Sequence, residues 1–364
     1  MQIIHLSNKK IFCLVFIFNI INFQLAQEKL EFVDLFNSKN NPKVSCYRIP
    51  SIIKASNGDL IAAIDERVLS CDDLKSNRDI NIVMRKSTNN GKSWHPIVRI
   101  VDYPLGESAS DPSMILDKKT NTIFLFYNYM DLDEQKNIYY LKYISSNDNG
   151  NTWSSPVDIT EQISKPSWKN DFKFITSGKG IQTSDGTLLH CIVNLQKGTH
   201  VFGSIDNGKT WFLNENPVSP GDESKIVELK DNVWMVNSRV NNLGFRYSHL
   251  TYDKGKSWIS KKEKSIIDPG CNAAFIKINY QDSNLLFLSN INSKFDRREI
   301  VLRVSNDFGS TWSKPKVIYY GSAAYSSMTL INENKLGIFF EMDNYSKNIF
   351  VSISLKEFLK EMGM

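Results

Sequence analysis

Arginines, carboxylates and one tyrosine recur in short segments whose residue types could bind an anion and move protons around it. Tyr47-Arg48-Ile49-Pro50 sets a guanidinium before a rigid Ile-Pro pair, and Asp65-Glu66-Arg67 closes the next apolar run. Asp222-Glu223 precedes Arg239 in a later segment, Arg297-Arg298-Glu299 follows, and Tyr325 stands in Gly321-Ser-Ala-Ala-Tyr325-Ser-Ser-Met. A planar guanidinium offers the paired donors that a carboxylate accepts best. A carboxyl group can give or take a proton, whereas a phenol, with an ordinary pKa of about 10, needs an activating base before it attacks a carbon. Each group also has a plainer reading: Arg48 as a surface charge paired with an acid, Tyr325 as a packed strand residue.

The elements that must position these groups are announced by a repeat. Ser87-Thr-Asn89-Asn-Gly91-Lys-Ser-Trp94 recurs as Ser146-Asn-Asp148-Asn-Gly150-Asn-Thr-Trp153, Ser204-Ile-Asp206-Asn-Gly208-Lys-Thr-Trp211, Thr251-Tyr-Asp253-Lys-Gly255-Lys-Ser-Trp258 and Ser305-Asn-Asp307-Phe-Gly309-Ser-Thr-Trp312. Asp, Gly, hydroxyl and Trp keep their offsets, except that Asn89 takes the Asp position in the first copy. Gly tolerates the positive φ of a tight turn, the Asp oxygens accept from exposed amides, and the Trp buries a large aromatic face against neighbouring strands. Copies 47 to 59 residues apart match the period of four-stranded propeller blades. Between them, runs such as Leu60–Asp65, Ile80–Met84, Ile123–Asn128 and Ile300–Val304 are β-branched or aromatic and bounded by Asn, Asp, Gly and Ser. Long helical periodicity is absent until Leu355–Met362, the one amphipathic helical pattern. Lys335–Phe340 and Ile349–Ile353 supply strands for a further blade without its own box. The reading is all-β: a six-bladed β-propeller of four-stranded antiparallel blades, closed by a strand near Leu30 to Leu35.

Residues 1–26 differ in kind. Lys9 and Lys10 precede the apolar run Ile11–Phe18, and Ala26 precedes Gln27, the layout of a cleaved secretory signal; the run is too short and too interrupted by Asn19 and Asn22 for a membrane anchor. The expected product is secreted, periplasmic or displayed at the cell surface, with residues 27–364 forming one domain. Cys46, Cys71, Cys191 and Cys271 match no zinc spacing; Cys46 and Cys71 could pair after export, or all four could be buried thiols. His95, His190, His200 and His249 form no ligand cluster. The formal net charge of +5 is modest, and without a Lys/Arg stripe interleaved with aromatics nucleic acid is not an expected partner.

The Arg-Ile-Pro motif at Arg48 together with the repeated boxes resembles the non-viral exo-α-sialidase (neuraminidase) family, with Asp-box (BNR) repeats, over essentially the whole of residues 27–364. The resemblance implies hydrolysis of terminal α-linked sialic acids through a tyrosyl-enzyme, with no metal or other cofactor and no protein partner beyond a monomer. It makes Arg48, Arg239 and Arg297 the three arginines that grip the sugar carboxylate, Arg298 being the alternative to Arg297. Tyr325 becomes the nucleophile, since an anionic carboxylate would approach a carbon bearing a carboxylate against like charge. Glu223 becomes its activating base, and Glu341 the acid that orients Arg48. Arg67 is carried over as a contact to ring hydroxyls and Asp111 as one near the N-acetyl arm. The general acid falls on Asp73 or on Asp72. The chain departs from the family at Asn89, at Glu66, where Ala is common, and in a Pro missing after Ser289-Asn290. Glu228 is expected to support its blade, and Arg246 to be an exposed strand charge. Transfer of sialic acid to another glycan, a sialoglycan-binding propeller without catalysis, and a docking scaffold remain alternatives.

Overall fold

The structure, a computed structural model, describes residues 30–364; the expected export segment, residues 1–26, lies outside them. Strands dominate and form five sheets. The first contains Cys46–Lys54, Leu60–Arg67, Ile80–Ser87 and Val98–Val101 in that order, each antiparallel to the next. The second runs Glu107–Asp117, Thr122–Asp131, Tyr140–Ser146 and Val157–Asp158, with Gly178–Lys179 added in parallel to its first strand. Lys173–Ile175, Leu188–Asn194, Gly198–Ser204 and Phe212–Leu213 make the third, and Ser224–Lys230, Val233–Ser238, Phe245–Thr251 and Ile259–Ile267 the fourth.

The last sheet departs from the expected four strands. It has seven, because Lys316–Asn332 is long enough to pair with Arg298–Ser305 along one part and with Lys335–Met342 along the other. Its register shifts between Ala323 and Ser326, where the strand passes from one partner to the other. Phe32–Asn37 then pairs with Lys347–Ser354, joining the start of the described chain to its end. The expected helix occupies Leu355–Met362, capped by the Ser354 hydroxyl at its start and by left-handed Gly363 at its end.

The boxes are turns with one bonding scheme. The first hydroxyl of each accepts from the glycine N–H at 2.8 or 2.9 Å. One oxygen of Asp148, Asp206, Asp253 or Asp307 accepts from the backbone N–H four residues on at 2.9 Å, and the other accepts from that residue's hydroxyl. Asn89 keeps the first bond and reverses the second, its amide donating to Ser93 Oγ at 2.8 Å, so the turn survives the substitution. These exposed bonds hold Asp148, Asp206 and Asp253 down to about 2, through the hydroxyl and amide donors that favour the ionised form.

The glycines do more than turn the chain. A Cβ on Gly150 would lie 2.5 Å from Ile61 of the preceding sheet and one on Gly309 2.9 Å from Met235, while one on Gly208 would overlap the Phe124 ring. At Gly91 the obstacle is the Phe350 ring of the last sheet, so the first sheet docks on the last as every other docks on its predecessor. Trp94 packs edge-on against the same Phe350 ring, and Trp211 against Phe124 and Phe126. Apolar clusters fill the spaces between successive sheets, as where Ile61, Met84, Met114 and Leu125 meet.

Gly208→Ala, at φ +84 and against Phe124, is expected to destabilise by about 3 kcal/mol, because neither the backbone nor the ring can accommodate the methyl. Gly186→Ala, at φ +91 with open space around it, should cost only about 1 kcal/mol. Urea midpoints of the two variants measure the difference, and equal losses would remove close packing as the reason for the box glycine.

Candidate active site

The first strands of the sheets lie side by side at the centre of the molecule and are tied by polar side chains. Ser51 Oγ donates to the Gly178 carbonyl at 2.5 Å, Ile52 N–H to Ser327 Oγ at 3.1 Å, and Lys225 Nζ to Asn272 Oδ1 at 2.6 Å. At one end of these strands, side chains from all five sheets surround a cavity of about 260 Å³. Its wall carries Arg48, Asp73, Asp111, Glu223, Arg239, Arg297 and Tyr325, with Leu74, Phe172, Phe174 and Leu195 forming an apolar flank. Seven of the residues singled out from sequence are thereby brought together.

Arg48 is placed by a break in its strand. Pairing with Leu60–Arg67 shifts register between Arg48 and Ser51, and buried Ile49 takes φ 68°, a strained value for a β-branched residue. Glu341, fully buried, holds this break in place. One oxygen accepts from Arg48 Nε and from Ile49 N–H, both at 2.9 Å, and the other from Tyr325 N–H at 3.0 Å and Arg48 Nη2 at 3.5 Å. The carboxylate thus fixes Arg48 and the backbone of Tyr325 together.

Arg239 Nη1 donates both to Glu223 and to Tyr325 Oη, the latter at 2.9 Å, while its Nε reaches Asn241 Oδ1 at 2.8 Å. Glu223 is therefore joined to Tyr325 through the guanidinium, with no direct hydrogen bond between the two among the described residues. Burial and the nearby Glu223 charge push the Tyr325 phenol well up, against the pull of Arg239 and Arg297. Arg297 Cζ lies 5.3 Å from the Tyr325 ring centre and Arg48 Cζ 5.6 Å, while Arg298 is exposed and off the wall.

Asp73 sits at the cavity's edge, with Oδ1 2.7 Å from Arg67 Nη1 and 3.9 Å from Arg48 Nη1. Burial raises its pKa, but Arg67, Arg48 and Arg297 outweigh that and hold it below the usual range. Asp72 turns outward and bonds Ser70. Arg67 is completely buried behind Asp73, off the cavity wall: it grips Asp65 Oδ2 through Nε at 3.2 Å and Nη2 at 3.0 Å, and the Cys71 carbonyl at 2.8 Å. A disulfide between Cys46 and Cys71 anchors the loop bearing Asp73, leaving Cys191 and Cys271 as buried thiols. Leu74 packs that loop onto Met130, Leu132 and Tyr139.

Asp111, in left-handed conformation at φ 63° where its strand bulges, bonds Asn128 through one oxygen at 3.0 Å. Its N–H donates to Asp65 Oδ1 at 2.9 Å. Withdrawal from water and the charges of Asp65 and Glu223 hold Asp111 well above a normal carboxyl group. Asp65 is pushed up to about 6 by burial, against Arg67.

Of two further expectations, one fails and one holds. Arg246 is not an exposed strand charge: it is fully buried, paired with Asp268 at 3.0 Å and bonded to Asn237 and the Cys271 carbonyl. Glu228 does support its neighbour, accepting from Ser184 N–H and Oγ across to the third sheet. Tyr345 and the apolar flank were not singled out from sequence, since no motif marks them, and Asp65 was named with Arg67 but given no role. Among the described residues no group of three or more His, Cys, Asp or Glu side chains is placed to hold a metal ion.

The family profile described as BNR repeat-like domain matches residues 73–338. A sialidase of Bacteroides fragilis is 28% identical over 352 residues, covering 87% of this chain and 63% of that protein. A sialidase of Micromonospora viridifaciens is 29% identical over 327 residues, covering 81% and 50%. The chain spans less than two thirds of the length of these two curated relatives. The solved structure of Hadza microbial sialidase Hz136 superposes with a TM-score of 0.81 at 27% identity, covering 90% of this chain and 69% of that one. The architecture is that of the sialidase β-propellers, and the chain belongs to the BNR-repeat sialidase family.

Burial of the Asp65 and Asp111 carboxyl groups makes stability depend on pH. Between about pH 4 and 6 an unfolded Asp65 ionises while the folded one retains its proton, so the folded state loses stability as pH rises through that window. Asp111→Asn keeps an oxygen for Asn128 and removes a like charge, so the decline should be shallower in the variant. Urea midpoints from pH 4 to 7 test this; parallel curves for the two proteins would show that the two acids do not share their charge.

Proposed function

We propose that this protein is a retaining exo-α-sialidase that removes terminal α-linked sialic acid from glycoproteins, glycolipids or oligosaccharides. The observation that carries the reading is the convergence of three guanidinium groups from three sheets, Arg48, Arg239 and Arg297, on the Tyr325 phenol. Such a charge concentration stabilises a bound carboxylate and would be costly facing a neutral sugar. A cavity of about 260 Å³ suits a single terminal sugar, being near the low end of ligand pockets at about 300 Å³.

The three arginines hold the sugar carboxylate. Asp73 gives its proton to the glycosidic oxygen as the bond to the anomeric carbon breaks. Tyr325 Oη bonds to that carbon and gives its proton to the Glu223 carboxylate, the Arg239 guanidinium, a donor to both groups, holding the two side by side. In the second step Asp73 takes a proton from water, the water oxygen attacks the anomeric carbon, and the bond to Tyr325 breaks as the phenolate recovers its proton. Asp73 is ionised in the free protein because of its arginine neighbours. The arriving carboxylate offsets that positive charge, which favours protonation of Asp73 in the complex. Asp111, its carboxyl held well above the ordinary range, lies on the wall beside the sugar, and Arg67 steadies Asp73 from behind. No cofactor enters this sequence.

The same reading counts the seven-stranded sheet as two four-stranded blades sharing the strand Lys316–Asn332, six in all, in one domain of residues 27–364 acting as a monomer. Residues 1–26 direct export, and the Cys46–Cys71 bond suits an oxidising compartment.

Release of a fluorescent aglycone from an α-sialoside tests the proposal. Tyr325→Phe should lower kcat by about 100-fold or more. Asp73→Asn should lose about 100-fold with an unactivated glycan and much less with a good leaving group, which needs no proton. For the unactivated substrate kcat should fall as pH rises, because the acid must be protonated in the complex, and Asp73→Asn should flatten that limb. A wild type that binds free sialic acid without turnover would leave a binding propeller; sialic acid appearing on a second glycan would identify a transferase.

A further inference from the structure

Resting on the sialidase reading, we infer that Tyr345 is a positioning residue that holds two of the three carboxylate-binding arginines at a fixed spacing. Its ring lies 3.9 Å from Arg48 Cζ, stacked on the guanidinium, and its hydroxyl accepts from Arg297 Nη1 at 3.2 Å. That is the one hydrogen bond the Arg297 side chain makes among the described residues, and no carboxylate pairs with it. Arg48 and Arg297 also both lie over the Tyr325 ring, so two tyrosines alternate with two arginines around the cavity edge. Cations placed this close repel each other, and a ring face with a phenol oxygen offers each a separate attraction without a competing negative charge. A carboxylate in that place would neutralise the charge that the substrate needs.

The backbone reinforces the assignment. Asp343, Asn344 and Tyr345 all take left-handed φ, 52°, 52° and 66°, a run that three non-glycine residues adopt only when held. Tyr319 Oη donates to Asp343 Oδ1 at 2.5 Å, Ser322 Oγ to Asn344 Oδ1 at 2.8 Å, and Asp343 N–H to the Ser322 carbonyl at 2.9 Å. The strained turn starts one residue after the strand that carries Glu341, so the residue orienting Arg48 from behind and the one stacking on it share a rigid hairpin.

Tyr345→Phe keeps the ring and removes the hydroxyl; Tyr345→Leu removes both contacts. With a fluorogenic α-sialoside, the Phe variant should raise KM about 3-fold and the Leu variant about 10-fold or more, with kcat within about 2-fold of wild type. Inhibition by free sialic acid should weaken in the same order, while inhibition by its methyl ester, which lacks the anionic carboxylate, should not change. A purely structural residue would lower melting temperature and kcat and weaken acid and ester alike. That pattern, or wild-type constants in the Leu variant, overturns the assignment while sialoside cleavage by wild type stands. A wild type that neither cleaves the sialoside nor binds sialic acid overturns the sialidase reading and this inference with it.

Discussion

The buried Glu341 carboxylate is the interaction on which the rest of the site depends. It belongs to the last sheet, yet two of its partners, the Arg48 side chain and the Ile49 N–H, lie in the first. Its second oxygen holds the Tyr325 backbone. A carboxylate completely withdrawn from water is tolerable only when its oxygens are satisfied, and four donors do so here. The same bonds hold Ile49 in a conformation it would otherwise leave. Stability of the seam and aim of the arginine are therefore one arrangement.

Around that seam the charges are sorted by depth. Acids that only position lie behind the wall, Asp65 under Arg67 and Glu341 under Arg48, while Arg297 reaches the cavity without an ionic partner among the described residues. Asp73 and Glu223 come to the cavity from different sheets, each held by an arginine, Asp73 by Arg67 and Glu223 by Arg239. An apolar flank of Phe172, Phe174 and Leu195 limits water on the remaining face.

Much of this was legible because the boxes and the Arg-Ile-Pro motif are local. Five boxes locate the outer turns, and the runs between them locate the strands, since both patterns rest on neighbouring residues. Arg48, Glu223, Arg239, Tyr325 and Glu341 could be placed by motif. Choosing between Asp72 and Asp73, or Arg297 and Arg298, could not follow from the same source: adjacent residues point to opposite sides, and a loop's register is set by tertiary contacts such as Arg67 with the Cys71 carbonyl. Tyr345, Asp65 and the bridge that Arg239 makes between Glu223 and Tyr325 depend on segments far apart in the chain. Arg246 was read as an exposed strand charge, but its bonds to Asp268 and Asn237 make it part of the core.

The docking of Gly91 on Phe350 has a temporal meaning as well as a spatial one. Arg48 and Glu341 are separated by 293 residues, and the Asn348 side chain donates to the Tyr47 carbonyl across 301. Contacts this distant form only after the intervening chain has been ordered, because their loop-closure entropy must be met first. As the polypeptide emerges from the ribosome, each sheet can settle on its predecessor, but the first must wait with its Phe350 socket unfilled and its Arg48 unaimed. The arginines of the cavity are thus assembled at the closing of a circle, and a nascent chain carries no complete cavity until its last strands arrive.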